Sequence, residues 1–172
     1  MIRAFTAITA VVGVGLCAGT ALAGGAIAGT ASGIAFVKPL AHAWVSQDFG
    51  CTSFSFEPVD LACSGGHWHS GIDLAAARGA PVVATLPGIA TVVLSPTGYG
   101  LHVIIDHGGG LSSLYGHLDT VVITSGEYVL AGQDIGTVGS SGNATGPHLH
   151  FEIRRDGIAE DPRQDLALPL SV

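Results

Sequence analysis

Along residues 146–154, GPHLHFEIR, polar and apolar side chains alternate without a break. His148, His150, Glu152 and Arg154 fall on one parity, Leu149, Phe151 and Ile153 on the other. Successive strand side chains point to opposite faces, so the alternation predicts a half-buried β-strand. One face enters a core, and the other carries two histidines about 7 Å apart, the rise of two strand residues. From residue 44 onward, short apolar runs recur between turn residues at intervals of about ten, the pattern of an antiparallel β fold. The runs predict strands over Ala43–Phe49, Gly71–Ala75, Val82–Ala84, Ile89–Leu94, Leu101–Asp106, Leu111–His117, Val121–Ile123, Asp134–Val138 and His148–Arg154. No 12-residue amphipathic helix is expected beyond residue 43, and the chain from Asp161-Pro162 reads as an irregular closing segment.

The N-terminal pattern is different. After Arg3 no charged side chain occurs from Ala4 to Val37, which exceeds the roughly 20 apolar residues of a membrane-spanning helix. An uncleaved N-terminal hydrophobic helix, anchored in the cytoplasmic membrane, is the expectation. The alternative is a signal peptide cut after Ala21-Leu22-Ala23, which would release a chain starting at Gly24. Either way the remainder is expected outside the cytoplasm, in a bacterial cell envelope. The organisation reads as 1–37 anchor or signal, 38–43 linker, 44–165 one all-β domain built as a compact antiparallel structure, and 166–172 tail.

Composition narrows the picture further. Only 11% of residues are charged and 26 are glycine, which suits a β domain with tight turns. Lys plus Arg number 6 against 13 Asp plus Glu, a net charge of −7, with no basic cluster to bind a phosphate backbone. No nucleic-acid partner is therefore expected, and the chain is expected to act as a monomer. Cys51 and Cys63 are the only cysteines beyond the apolar run. Outside the cytosol such a pair is expected to bridge; the alternative is a structural zinc site with His67 and His69.

Three clusters point to chemistry. In HWHSGIDL, His69 and Asp73 are four apart. A straight strand would separate them by about 13 Å, so they converge only if the chain turns at Ser70-Gly71. In LYGHL stands His117, and the alternating strand supplies His148 and His150. His69, Asp73 and His150 together offer two nitrogens and a carboxylate, the three-ligand set of catalytic zinc, which leaves a fourth position open. If His150 holds the ion, His148 sits one strand step away, beside a bound substrate. Glu152 is either an orienter of a ligand histidine or a solvated strand residue. His42, His67, His102 and His107 read as ordinary satisfied polar groups, with His107 ordering its turn. Asp106, Asp119 and Asp134 read as solvated charges.

HSGIDLAA, YGLHVIIDHGGGLSSLYGHL and GTVGSSGNATGPHLHFEI, in this order, resemble the lysostaphin/LytM-type zinc endopeptidases, which cleave peptide bonds in peptidoglycan. The resemblance covers about residues 44 to 162. It implies a duplicated hybrid motif fold open to a groove over one zinc ion, with a peptidoglycan peptide as substrate. It implies His69, Asp73 and His150 as zinc ligands, and His117 and His148 as catalytic histidines. The departures are Gly116, where alanine is frequent, and the extra Cys51–Cys63 segment, which is placed to shape one groove wall. A non-catalytic activator of other wall hydrolases is the alternative, and loss of any of the five residues would have favoured it. A swinging-arm carrier is excluded because the only lysine, Lys38, lies outside the domain.

Overall fold

The structure, a computed structural model, describes residues 35–166. The anchor or signal helix expected within 1–37 falls almost wholly outside them, as does the tail beyond Leu166. Among the described residues, thirteen strands and a 3-10 turn are formed: β1 Trp44–Gln47, β2 Gly50–Thr52, β3 His67–His69, β4 Ile72–Ala75, β5 Pro81–Val83, β6 Gly88–Leu94, β7 Leu101–Gly108, β8 Leu111–Gly116, β9 Leu118–Val121, β10 Tyr128–Val129, β11 Asp134–Val138, β12 His148–Arg155, β13 Ile158–Glu160 and the turn Pro162–Gln164. No helix among these residues is long and apolar enough to cross a membrane.

Every pairing is antiparallel. The main sheet runs β1-β4-β12-β8-β7-β6-β10, with β13 also pairing β12, and β5-β11-β9 and β2-β3 form two smaller sheets. The apolar parity of the central strands makes the core. Ile72 and Leu74 on β4, Val103 and Ile105 on β7, and Leu149, Phe151 and Ile153 on β12 are buried together with Tyr115. Burying one such side chain contributes about 1.5–3 kcal/mol, and this layer fixes the register that aims the polar parity.

The structure corrects four expectations. β12 is not half-exposed, because His150 and Glu152 on its polar face are 4% and 0% exposed. Its polar parity faces a site rather than solvent. The run Ala43–Phe49 breaks after Gln47, and β2 and β3, too short for an alternation to register, form a separate ribbon. β13 was also missed, although Asp156-Gly157, both at positive φ (51° and 80°), form the two-residue hairpin turn that Asp-Gly favours. The closing segment is ordered: Asp161 caps the 3-10 turn, and Leu166, assigned to the tail on sequence, is 1% exposed in the common core.

Cys51 and Cys63 are bonded to each other, and the His67 ring donates to the Glu57 carbonyl at 2.7 Å, so the structural Cys/His zinc site is excluded. Closing a loop of this size stabilises by about 3 kcal/mol in the chain-entropy model. Replacing both cysteines by serine is expected to lower Tm by about 6–12 °C at that cost while leaving bound metal near one per chain. Loss of the metal along with the bridge would show that the loop holds the ion's donors in place.

Candidate metal centre

The sheet register builds the site. On the β4–β12 pair, Asp73 lies directly opposite His150, close enough for side chains on one face to meet. Across β12's other edge His150 faces Gly116, where an added Cβ would lie 3.2 Å from the His150 Cβ. Glycine there leaves the ring room. His69 ends β3, and the chain turns through Ser70-Gly71 into β4, which brings His69 back onto Asp73. Gly71 is not in the left-handed region. It is needed because a Cβ would meet the Phe151 carbonyl at 2.4 Å and His150 Nε2 at 3.0 Å.

Three atoms converge. His69 Nε2 lies 3.2 Å from Asp73 Oδ1 and 3.0 Å from His150 Nδ1, which in turn lies 3.0 Å from Asp73 Oδ1. The outward ring nitrogens decide what these atoms are. His69 Nδ1 faces the Asp48 carbonyl at 2.8 Å, and His150 Nε2 faces the Glu152 carboxylate at 3.0 Å. Carbonyl and carboxylate oxygens only accept, so both outward nitrogens carry the ring protons. The converging atoms are then three acceptors in contact, an arrangement that suits a cation. Donors of a tetrahedral ion with bonds of about 2.0–2.1 Å stand about 3.3 Å apart, near the observed separations. The set fits a metal ion, and these three residues are the group that could hold one.

The charges agree. Burial opposes ionisation of Asp73, but hydrogen bonds with His150 and His69 outweigh it and hold the carboxyl well below the usual range. Burial likewise disfavours a charged His150, yet its bonds to Asp73 and Glu152 push it up to about 9. Both shifts favour positive charge at the triangle, the charge a metal ion would supply.

Glu152 is an orienter, not a solvated strand residue. Besides His150 it accepts from Ser70 Oγ at 2.6 Å, Tyr99 OH at 2.7 Å and Arg154 Nε at 2.5 Å. Burial opposes its charge, but the bonds from His150, Arg154 and Ser70 hold it at about 2. Arg154 shares β12's polar parity, so its approach to Glu152 was readable from the strand. Tyr99 and Ser70 arrive from distant turns and carried no signal.

His117 and His148 stand beside the triangle with ring centroids 4.7 Å apart. His117 Nδ1 donates to the Ser141 carbonyl at 2.7 Å, and His148 Nδ1 to the Gly146 carbonyl at 2.9 Å. In each ring Nε2 is left without a hydrogen-bond partner. His148 Nε2 comes within 3.6 Å of Asp73 Oδ2. Burial pushes His117 down to about 4, so it is neutral at pH 7. Its backbone sits at φ 61°, a conformation that costs a non-glycine residue energy and clusters at functional sites. It is held by the Tyr99 carbonyl, which accepts the His117 amide at 2.8 Å. All five sequence-predicted residues are brought together. His102 and His107 bond the Gly100 and Pro87 carbonyls instead, and Asp119 pairs with Arg78.

A groove of about 310 Å³ opens over the centre. Ser46 and Gln47 of β1 with Phe54 and Glu57 of the disulfide loop form part of its lining, and His117, Asn143, Thr145 and His148 another.

Residues 67–162 match the model of Peptidase family M23. The chain belongs to that family. Its match extends over the whole donor set and both flanking histidines. The chain is 38% identical over 135 residues to the DD-carboxypeptidase/endopeptidase Mpg of Neisseria meningitidis, covering 77% of this chain and 29% of that protein. It is 42% identical over 93 residues to the murein hydrolase activator EnvC of Escherichia coli, covering 54% and 22%. The chain thus spans less than a third of the curated relatives it matches. The catalytic domain of the antimicrobial peptidase lysostaphin from Staphylococcus simulans superposes with a TM-score of 0.58 at 32% identity, covering 71% of this chain and 90% of that one.

Proposed function

We propose that the chain is a zinc-dependent endopeptidase that cuts peptide bonds in the stem peptides or cross-bridges of bacterial peptidoglycan. One observation carries the reading: three mutually facing acceptors lie beside a groove that presents two further imidazoles with free Nε2 atoms. Two nitrogens and one carboxylate oxygen suit zinc in a catalytic site. When bound, zinc polarises the scissile carbonyl and makes water acidic enough to attack at neutral pH.

The protein's own groups do the rest. Glu152 fixes the His150 ring, and the Asp48 carbonyl fixes that of His69, so the donors are aimed before an ion arrives. His117 is held neutral by burial, with Nε2 turned away from Ser141, and is placed to accept the proton of the attacking water. His148, its neighbour across 4.7 Å, is placed to donate from Nε2, in its imidazolium form, to the developing oxyanion or to the leaving amine.

The disulfide suits an oxidising compartment. We place the domain outside the cytoplasm, acting as a monomer, held to the membrane by the apolar run of residues 4–37 or released near Gly24. The likeness to an activator makes a non-catalytic role the alternative, and the complete set of five residues argues against it. Digestion of purified muropeptides of defined cross-link with the full chain, read by mass spectrometry, tests the proposal. Fragments from one peptide bond are expected, formed only before chelation and restored by zinc. An intact substrate, with cleavage appearing only when a second wall hydrolase is added, would establish the activator role.

A further inference from the structure

The disulfide loop places one carboxylate in the groove that no arginine among the described residues meets. Glu57 Oε1 lies 3.9 Å from His69 Nε2, and its side chain is 18% exposed. Its one side-chain hydrogen bond is from the neutral Gln47 amide at 3.2 Å. Each arginine among the described residues is paired elsewhere: Arg78 with Asp119, Arg154 with Glu152, Arg155 with Glu160 and Asp165, Arg163 with Asp48.

The loop is fixed at several points. The Cys51–Cys63 bond closes it, and the His67 ring donates to the Glu57 carbonyl at 2.7 Å. The Glu57 amide donates to the Phe54 carbonyl at 3.1 Å, and the Trp68 amide to the Pro58 carbonyl at 3.0 Å. Phe54, from the same loop, lines the same groove and packs on Phe56 with centroids 5.5 Å apart. A partly desolvated carboxylate that shares a groove with an aromatic ring can bind an ammonium group through a charge-assisted hydrogen bond and the ring's negative face.

We propose that Glu57 and Phe54 form a specificity subsite for a primary ammonium that the peptide substrate carries next to the scissile bond. The inference rests on the endopeptidase reading and names the substrate feature that the groove selects. Two kinds of wall peptide offer that chemistry, one through the free amino end of a cross-bridge and one through the side-chain amine of a diamino acid.

The test uses the full chain with zinc and two peptide pairs, one for each source, with the amine either free or N-acetylated. Within at least one pair the unaltered chain is expected to favour the free amine in kcat/KM by about tenfold, the lower end for a hydrogen bond to a charged group. Glu57→Gln, which keeps the side chain's shape, is expected to lose about ten times more activity on that amine peptide than on its acetylated partner. Glu57→Lys is expected to reverse the preference. The pair that responds identifies the source. Equal losses on both members of each pair would overturn the subsite and place Glu57's action at the metal. Cleavage of no peptide by the unaltered chain would overturn the endopeptidase reading and the subsite with it.

Discussion

His69→Ala, Asp73→Ala and His150→Ala are each expected to lose bound metal and activity together, whereas His117→Ala and His148→Ala keep the metal and lose activity alone. The three ligand atoms stand 3.0–3.2 Å from one another, and removing one leaves two donors, too few to define a site. His117 and His148 point a free Nε2 toward the groove while their Nδ1 atoms are held by backbone carbonyls. Their loss leaves the donor set whole and is expected to cost about 10²–10⁴-fold in turnover, the usual contribution of positioned acid–base groups. His148→Ala also frees Asp73 Oδ2 from a neighbour at 3.6 Å, so a small fall in metal affinity is expected there and none for His117→Ala. Zinc by atomic absorption beside turnover of a defined muropeptide decides the matter. Metal lost from His148→Ala and retained by His150→Ala would reverse the assignment of the two strand histidines. Full activity in all five variants would end the metallopeptidase reading.

Glu152→Ala is expected to be the most damaging change outside the donor set. It removes the acceptor shared by His150, Ser70, Tyr99 and Arg154. The guanidinium of Arg154, whose side chain is 25% exposed, would be left without its carboxylate. Breaking a buried pair by removing one partner costs about 3–5 kcal/mol; partial exposure of Arg154 puts the expectation near the lower figure, with Tm falling by about 6–12 °C. Freed from its acceptor, the His150 ring can turn, and metal affinity is expected to fall about 10–100-fold. Glu152→Gln keeps an acceptor for Nε2 and should recover part of the affinity. Thermal unfolding with chelator competition reads both effects. An unchanged affinity in Glu152→Ala would mean that packing alone aims His150.

How much of this was legible beforehand depended on the length of each element. β12 spans His148–Arg155, long enough for its alternation to reveal its existence, its core face and the parity of its histidines. The same pattern misled about exposure, because period two reports which residues share a face and not what covers that face. β2 and β3 span three residues each, and so short a run shows no period. Hence the ribbon that carries His69 was invisible, although the need for a turn at Ser70-Gly71 was not. The reason for glycine at 71 was not legible, since the neighbour that crowds it, Phe151, is 80 residues away in sequence. Glu57 was unreadable for a similar reason: the bridge, the His67 bond and backbone bonds such as Trp68 to Pro58 bring its loop over the groove.

The division of labour between sheet and loops bears on how such a domain can diversify. Asp73 and His150 are cross-strand partners in a sheet whose register the core enforces. A slip of one residue in β12 would replace His148, His150 and Glu152 with Leu149, Phe151 and Ile153 at the groove, so the chemistry is inherited whole or not at all. The groove's Phe54 and Glu57 lie between the bonded cysteines, and Asn143 and Thr145 lie in the connection between β11 and β12. The second stretch also carries the Ser141 and Gly146 carbonyls that hold His117 and His148, so the disulfide loop is the one free to vary, and chimaeras that swap residues 52–62 would transplant selectivity while retaining the same catalyst.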